Sequence, residues 1–464
     1  MDVMSTVPMT YNKTRTYNKT REVLSMMSFL LSRRAFRVMC VATLTGALLT
    51  ACGKSGTAAQ TSPTRGTVTF WARHSAQDKL LLKGFSKAYP DIHVQLEPEP
   101  ASGGAAEKLA TAIRGGAQPS LVDLNDIYSP IFAKAGDLVN LTSFYKSLPY
   151  HSSLNKGQLS LGQYDGNVYA LPFIADLSME FYNKTLLAKA GITTVPTTLA
   201  GIEQDAKIVV QKVPGSYGFT APLDSPGCMG FIAIPSLGAS KTGNTPLFRG
   251  SLTHQAANLE GNQGLIKLLN FYRAMWVDRL EPAYNRTSTC STFGVHFLQG
   301  HIAITFQDFG MASRLRADHV KWSWGIAPIP TVSGGGSTFD GGDTLVIPKK
   351  NGSNPAAAET VIRWLLSRKS QLTFPSQGDT PVRTDLLTPS YKKAHPSDAV
   401  ALAALEHGVV PDTLAYAALF NVPSAPFGSM LYSAVLDKSA SAVTSAIHQA
   451  QSQFTSILKT GAGL

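Results

Sequence analysis

From residue 66 the chain alternates between two hydrophobic periods. Thr67 to Ala72 sets Val68 and Phe70 on one side of a strand. Leu81, Leu82 and Phe85 then share one face of a helix, for which Ser75 and Asp78 read as a capping pair. Pro90-Asp91 turns the chain into a second alternating strand with Ile92, Val94 and Leu96. A second helix covers 105–114, with Leu109, Ala112 and Ile113 inward and Gly115-Gly116 closing it, and 120–124 is a third strand. This β-α-β-α-β order predicts a parallel sheet whose ligand-facing loops lie at the carboxyl ends of the strands. Those loops carry Arg73, His74, Asn125 and Asp126.

In the middle of the chain, Asp165-Gly166 suits a two-residue hairpin turn. Val168, Ala170 and Phe173 form an apolar run broken by Pro172, where a strand should end or bend. Residues 174–178 read as a link between two bodies, which puts Asp176 in a hinge; Met179, Phe181 and Tyr182 resume a buried strand, and a short helix stops at Gly191. Residues 262–275 are an amphipathic helix with Leu265, Leu268, Leu269, Phe271 and Tyr272 as its apolar residues. A loop carries Asp308, Phe309 and Gly310. The Gly- and Ser-rich stretch 333–342 reads as a loop back to the first body, followed by a strand over 343–348. Further helices are expected over 356–367, with Trp364 inward, and near 397–406 and 436–458.

Of the 464 residues, 44% are apolar and only 15% charged, which suits a globular protein of two or three domains. The net charge of +11 is uneven: residues 1–51 hold seven Lys/Arg against Asp2 and Glu22, and no dense basic run follows, so the footprint of a nucleic-acid binder is missing. Residues 1–51 instead read as an export signal. Arg33, Arg34 and Arg37 precede an apolar segment, Val38 to Leu49, that is too short to span a bilayer. Leu49-Thr50-Ala51-Cys52 resembles a lipobox, with lipid on Cys52. Ser32 to Phe36 resembles a twin-arginine signal, with an ordinary secretory signal as the alternative. Tyr11-Asn12-Lys13-Thr14 recurs as Tyr17 to Thr20 for no physical reason that we can give, and a true start near Met26 or Met27 would explain it. Export leaves Cys228 and Cys290 as the two cysteines of an oxidising compartment once Cys40 is removed and Cys52 modified. A disulfide is expected, with two separately buried thiols as the alternative.

Catalytic motifs are missing: no GxSxG, HExxH, paired CxxC or GxGxxG is present. The ten histidines show no metal-ligand spacing, so neither a metal nor another cofactor is expected. Gly53-Lys54-Ser55 fails as a phosphate loop because Leu48 stands where glycine is required. Asp176 and Glu180 could be imagined as a glycosidase pair, but thirty carboxylates offer many such pairs.

Asp165, Gly166, Tyr169, Leu171 and Pro172, followed by Tyr182, Asn183, Lys184, Ala190 and Gly191, resemble the signature of bacterial extracellular solute-binding proteins of the sugar-binding, maltose-binding-protein-like type. Residues 119–142 are similar to another family stretch, with Gly136, Leu138 and Leu141 in step and Ser120 in place of the usual Asp. Phe297 to Ile304, Trp324 to Pro330 and Pro381-Val382-Arg383 continue the resemblance, which covers roughly residues 66–464.

The resemblance implies an α/β, two-lobed periplasmic-binding-protein fold, each lobe a mostly parallel sheet flanked by helices, joined by a multi-crossing hinge. Lobe 1 takes 66–174 and 343–385, lobe 2 takes 175–342 and 386–464, and a lipidated tether spans 52–65. It implies a monomeric, non-catalytic receptor in the cell envelope. Such a receptor is lipid-anchored to the outer face of the cytoplasmic membrane, or periplasmic, and hands a mono- or oligosaccharide to the permease subunits of an ABC importer. Sugar hydroxyls need fixed donors and acceptors, and the ring face needs an aromatic surface. His74, Asp126, Asp176, Phe309, Gly342 and Arg383 fall on the expected cleft loops as ligand-binding residues. Simpler roles compete: capping for Asp126, turn formation for Asp176, a solvated loop for His74 and an ion pair for Arg383. A secreted carbohydrate-active enzyme, or a receptor for a polyamine or peptide, are the alternative functions.

Overall fold

A computed structural model describes residues 65–99, 104–239, 245–350, 355–376, 379–411, 413–421 and 424–460. The expected export signal, Cys52 and the tether up to residue 64 lie outside the described residues.

The first body follows the expected order: β1 (Gly66–Ala72), α1 (Ser75–Leu81), β2 (Ile92–Pro98), α2 (Ala105–Arg114) and β3 (Leu121–Asn125). β1 pairs in parallel with both β2 and β3. The expected Ser75–Asp78 cap does not form. His74 holds the capping position without a side-chain bond, and Asp78 is fully buried. α1 also stops at Leu81, and Gly84, in the left-handed region, starts a separate single turn that carries Phe85. Leu81 and Phe85 are both buried all the same.

Asp165 and Gly166 both take positive φ, 48° and 73°, and join two short antiparallel strands as a tight hairpin. The strand that follows, β4 (Ala170–Asn183), is one continuous element, so it neither ends at Pro172 nor gives way to a loop at 174–178. Proline has no N–H to give the ladder. Pairing with the neighbouring strand slips by one residue there, Asp343 facing Ile174 and Thr344 facing Pro172, which leaves Phe173 as a bulge.

Five more strands complete a nine-stranded sheet: β5 (Tyr217–Thr220), β6 (Ile302–Asp308), β7 (Trp324–Ala327), β8 (Asp340–Val346) and β9 (Thr380–Pro381). The order is β2-β1-β3-β8-β4-β6-β5, with β7 and β9 also paired to β4. The first half of β4 lies between β8 and β9 and its second half between β6 and β7, all antiparallel, while β6 and β5 are parallel. A strand covered along both edges and both faces must be apolar throughout. Every residue of β4 is buried except Asp176.

Helices α3 (Pro226–Ala233), α4 (Gln263–Val277), α5 (Ala356–Leu365), α6 (Pro396–Ala404), α7 (Pro426–Leu436) and α8 (Ala442–Thr460) flank the sheet. The Asn262 side chain caps α4 by accepting from the Leu265 amide at 3.1 Å, and the five apolar residues expected on its inner face are buried. One core joins α4, α7 and α8 to Phe219 and Phe306; a second joins β1 and β2 to α5 and the first half of β4. Trp364 is half-buried against Phe85, with its indole N–H donating to the Leu81 carbonyl at 2.8 Å. The chain is thus a two-lobed α/β fold, with β4 shared by both cores. Among the described residues no helix is long and apolar enough to cross a membrane.

Candidate ligand-binding cleft

Two adjoining cavities open around Asp176. The larger, about 980 Å³, is lined by Phe231, Phe293, Asp308 and Tyr432 among others; the smaller, about 230 Å³, by Arg73, Asp126, Tyr128 and Gly342 among others. Asp176, Gly227, Phe231 and Asn421 border both. The smaller cavity takes its walls from both bodies, because β1 and β3 end there, β8 begins there and β4 passes through, all opposite α3. At its rim Asn421 donates to the Tyr128 hydroxyl at 2.6 Å.

Asp176 reaches water through the cleft while protein crowds it on the remaining sides. That desolvation, then the charges of Asp308 and Asp379, raise its pKa against the pull of Arg73 and Arg314. Asp126 is fully buried, and neither carboxyl oxygen has a hydrogen-bond partner. The Ile127 amide is close enough to lower its pKa a little but not in hydrogen-bonding geometry. Burial and the nearby Asp340 outweigh it and hold the pKa well above the usual range. Asp126 is not a cap: it begins a short turn, Asp126–Tyr128, whose capping position is Asn125. An unpartnered carboxyl at a cavity wall can accept from a ligand hydroxyl and, when it carries its proton, donate to one as well.

Gly342 lines the smaller cavity with φ 145°, and a side chain there would run into the Ile174 carbonyl oxygen of the neighbouring strand. His74 stands beside the cleft, not in its wall. Its Nε2 lies 2.9 Å from Asp343 Oδ2, and burial followed by the charge of Arg73 lowers its pKa to about 4, so the ring is neutral at pH 7. The neighbouring Arg73, paired with Asp343, lines the cavity instead.

Two expected residues are elsewhere. Phe309 is 2% exposed and packs into the core with Met311 and Leu315. Consecutive residues at a strand end point to opposite sides, so the polar neighbour Asp308 takes the cleft and the ring goes inward. Arg383 is 7% exposed and does not border either cavity. Its guanidinium lies 3.7 Å from the Tyr150 ring centroid, chelates Asp385 and donates to the Leu366 carbonyl. Sequence reading missed Phe231, Phe293, Asn421 and Tyr432. Tyr432 sits on α7, whose apolar run gave a usable helical signal. Cys228 and Cys290 are joined as a disulfide, Cα atoms 5.7 Å apart, in the wall of the larger cavity.

Residues 81–399 match the family described as bacterial extracellular solute-binding protein. The diacetylchitobiose binding protein of Streptomyces coelicolor is 30% identical over 111 residues, 24% of this chain and 25% of its own, so the matched stretch spans a quarter of that relative. The sugar-binding protein MalE of Xanthomonas citri is similar in structure, with a TM-score of 0.70 and 24% identity over 85% of this chain and 98% of the other. UgpB of Mycobacterium tuberculosis, solved in complex with glycerophosphocholine, gives 0.69 and 22% over 85% and 99%. At these identities the two structures share the fold with this chain.

Proposed function

The chain belongs to the bacterial extracellular solute-binding proteins, and we propose that it is a non-catalytic receptor that holds a mono- or oligosaccharide around Asp176 and delivers it to an ABC importer. The observation behind this reading is the single accessible residue of β4, a carboxylate set where two cavities walled by both bodies meet. Asp126 and Asp176 supply the hydroxyl partners, and Phe231, Phe293 and Tyr432 supply flat surfaces for the sugar face. The protein is exported, with Cys52 carrying the lipid; more than one acyl chain is needed for stable attachment. Cys52→Ala should move it out of the membrane fraction, and an unchanged distribution would sink the anchor.

Titration calorimetry with a panel of neutral and N-acetylated mono- and oligosaccharides tests the main reading. Binding without turnover is expected, weakened at least about tenfold by Asp176→Ala or Asp126→Ala, since each removes a charged or buried hydrogen bond of about 1.5–3 kcal/mol. Hydrolysis of the bound sugar would turn the reading to an enzyme. A second reading has its own observation: Asp176, Asp224 and Asp308 line the larger cavity and, among the described residues, no basic one does, although Arg314 pairs with Asp308 at 2.5 Å. That balance suits a cationic solute such as a polyamine, and binding of spermidine with no response to any sugar would select it.

A further inference from the structure

His74, Asp123 and Asp343 are far apart in the chain, but the neighbouring strands β1, β3 and β8 bring them together. One ligand atom from each lies within 4.8 Å of the other two. His74 Nε2 and Asp343 Oδ2 are 2.9 Å apart, within the separation of about 2.8–3.1 Å that two ligands at a right angle keep around an ion held at about 2.0–2.2 Å from each. Asp123 is fully buried. Its Oδ2 accepts the Arg73 amide at 3.3 Å, and its Oδ1 has no partner. A buried acceptor without a donor is a free-energy penalty that a bound cation would remove.

A neighbouring carboxyl points the same way. Asp123 and Asp343 are joined by Asp78, which is also fully buried, has both carboxyl oxygens unpartnered and lies in the field of Asp123. Against these three carboxylates stands the Arg73 guanidinium, paired with Asp343. We propose that His74, Asp123 and Asp343 hold a divalent cation of the zinc or manganese kind, beside the smaller cavity. One imidazole and two carboxylates form a mixed N/O set, which suits these ions better than calcium or magnesium, whose sites are all oxygen. Three protein ligands leave room for water, and the His74 side chain, 39% exposed, marks the entry path. Arg73, Asn125 and Gly342, in the wall of the smaller cavity, are chain neighbours or near neighbours of the three ligands, so the ion fixes that wall. The proposal does not depend on what solute the cleft takes.

The test uses the mature protein made without a polyhistidine tag and stripped with a chelator. Zn2+ and Mn2+ are titrated by calorimetry, with Ca2+ and Mg2+ as controls, and melting is followed in parallel. We expect one equivalent of zinc or manganese and a raised melting temperature. Ligand removal should cost more than the 10–100-fold loss typical of outer-shell changes, so His74→Gln should weaken binding at least about 100-fold. That half-exposed position can be changed without disturbing the core, and Asp123→Asn repeats the test from inside. Absence of binding at millimolar metal, a preference for calcium or magnesium, or one-to-one binding unchanged in His74→Gln would each overturn the site.

Discussion

Gly342→Ala tests how tightly the two central strands are joined at the cleft. Gly342 faces Ala175 of β4 across the ladder, one residue from the slip opposite Pro172. A methyl group there would enter the van der Waals shell of the Ile174 carbonyl oxygen and would stand 2.7 Å from Gln158 Nε2 and 2.9 Å from the Asp176 amide. The carbonyl cannot turn away freely, because Gln158 donates to it at 2.7 Å in a buried site. Two effects add: φ of 145° is unfavourable for any residue with a Cβ, and the backbone itself is in the way. Taking about 1–3 kcal/mol for the strained dihedral and a similar amount for overpacking, the loss should be about 2–6 kcal/mol. Domains are stable by about 5–15 kcal/mol, so the variant should fold with a much lower urea midpoint. Gly334→Ala is the matched control: φ is 91°, but nothing lies within 4 Å of its Cβ position, so only the dihedral penalty applies. Unfolding followed by circular dichroism should separate the two variants by at least about 1–2 kcal/mol. Equal midpoints would refute the claim that β4 and β8 leave no space there.

Two further predictions concern the second body. Cys228 and Cys290 are 62 positions apart, and opening a loop of that length should lower stability by about 4 kcal/mol. The double Ser variant should show this in denaturant and should also loosen the wall of the larger cavity; a parent protein whose midpoint ignores reductant would refute it. Glu180 is fully buried between β6 and β7 with both carboxyl oxygens unpartnered, and burial, then the charge of Asp205, raises its pKa. A carboxyl that holds its proton more tightly when folded favours the fold fully below its unfolded pKa and loses that contribution as pH rises to the folded value. Glu180→Gln should therefore melt above the parent near about pH 8 and converge with it near about pH 4, and a gap constant across that range would refute the assignment.

Periodicity carried the fold well where an element had one buried face. Val68 and Phe70, or Leu265 through Tyr272, announce their element because burial selects apolar side chains at that element's own repeat. It misled at β4 because the physics there is different. Pro172 removes one ladder bond, and a buried strand held on both edges absorbs that loss as a bulge instead of ending. The Ser75–Asp78 pair failed for a related reason: Asp78 is fully buried beside Asp123, a tertiary placement that no local window contains.

The cleft was harder still, because it is made by side, not by spacing. Asp308 and Phe309 are adjacent, and which of them faced the cavity depended on how β6 lies against β4. Arg383 looks like any loop arginine until the Tyr150 ring and Asp385 are placed around it. The cavity wall is assembled from residues as distant as Tyr128 and Asn421, which meet in one hydrogen bond. His74, Asp123 and Asp343 have the same origin: three strands, none carrying a metal motif, place them together because the sheet order sets β1, β3 and β8 side by side. A sequence window reports what each strand buries along its own length. What neighbouring strands present together is set by sheet order, and in this chain Asp176, Asp123 and Asp343 all sit inside strands that this order brings close to one another.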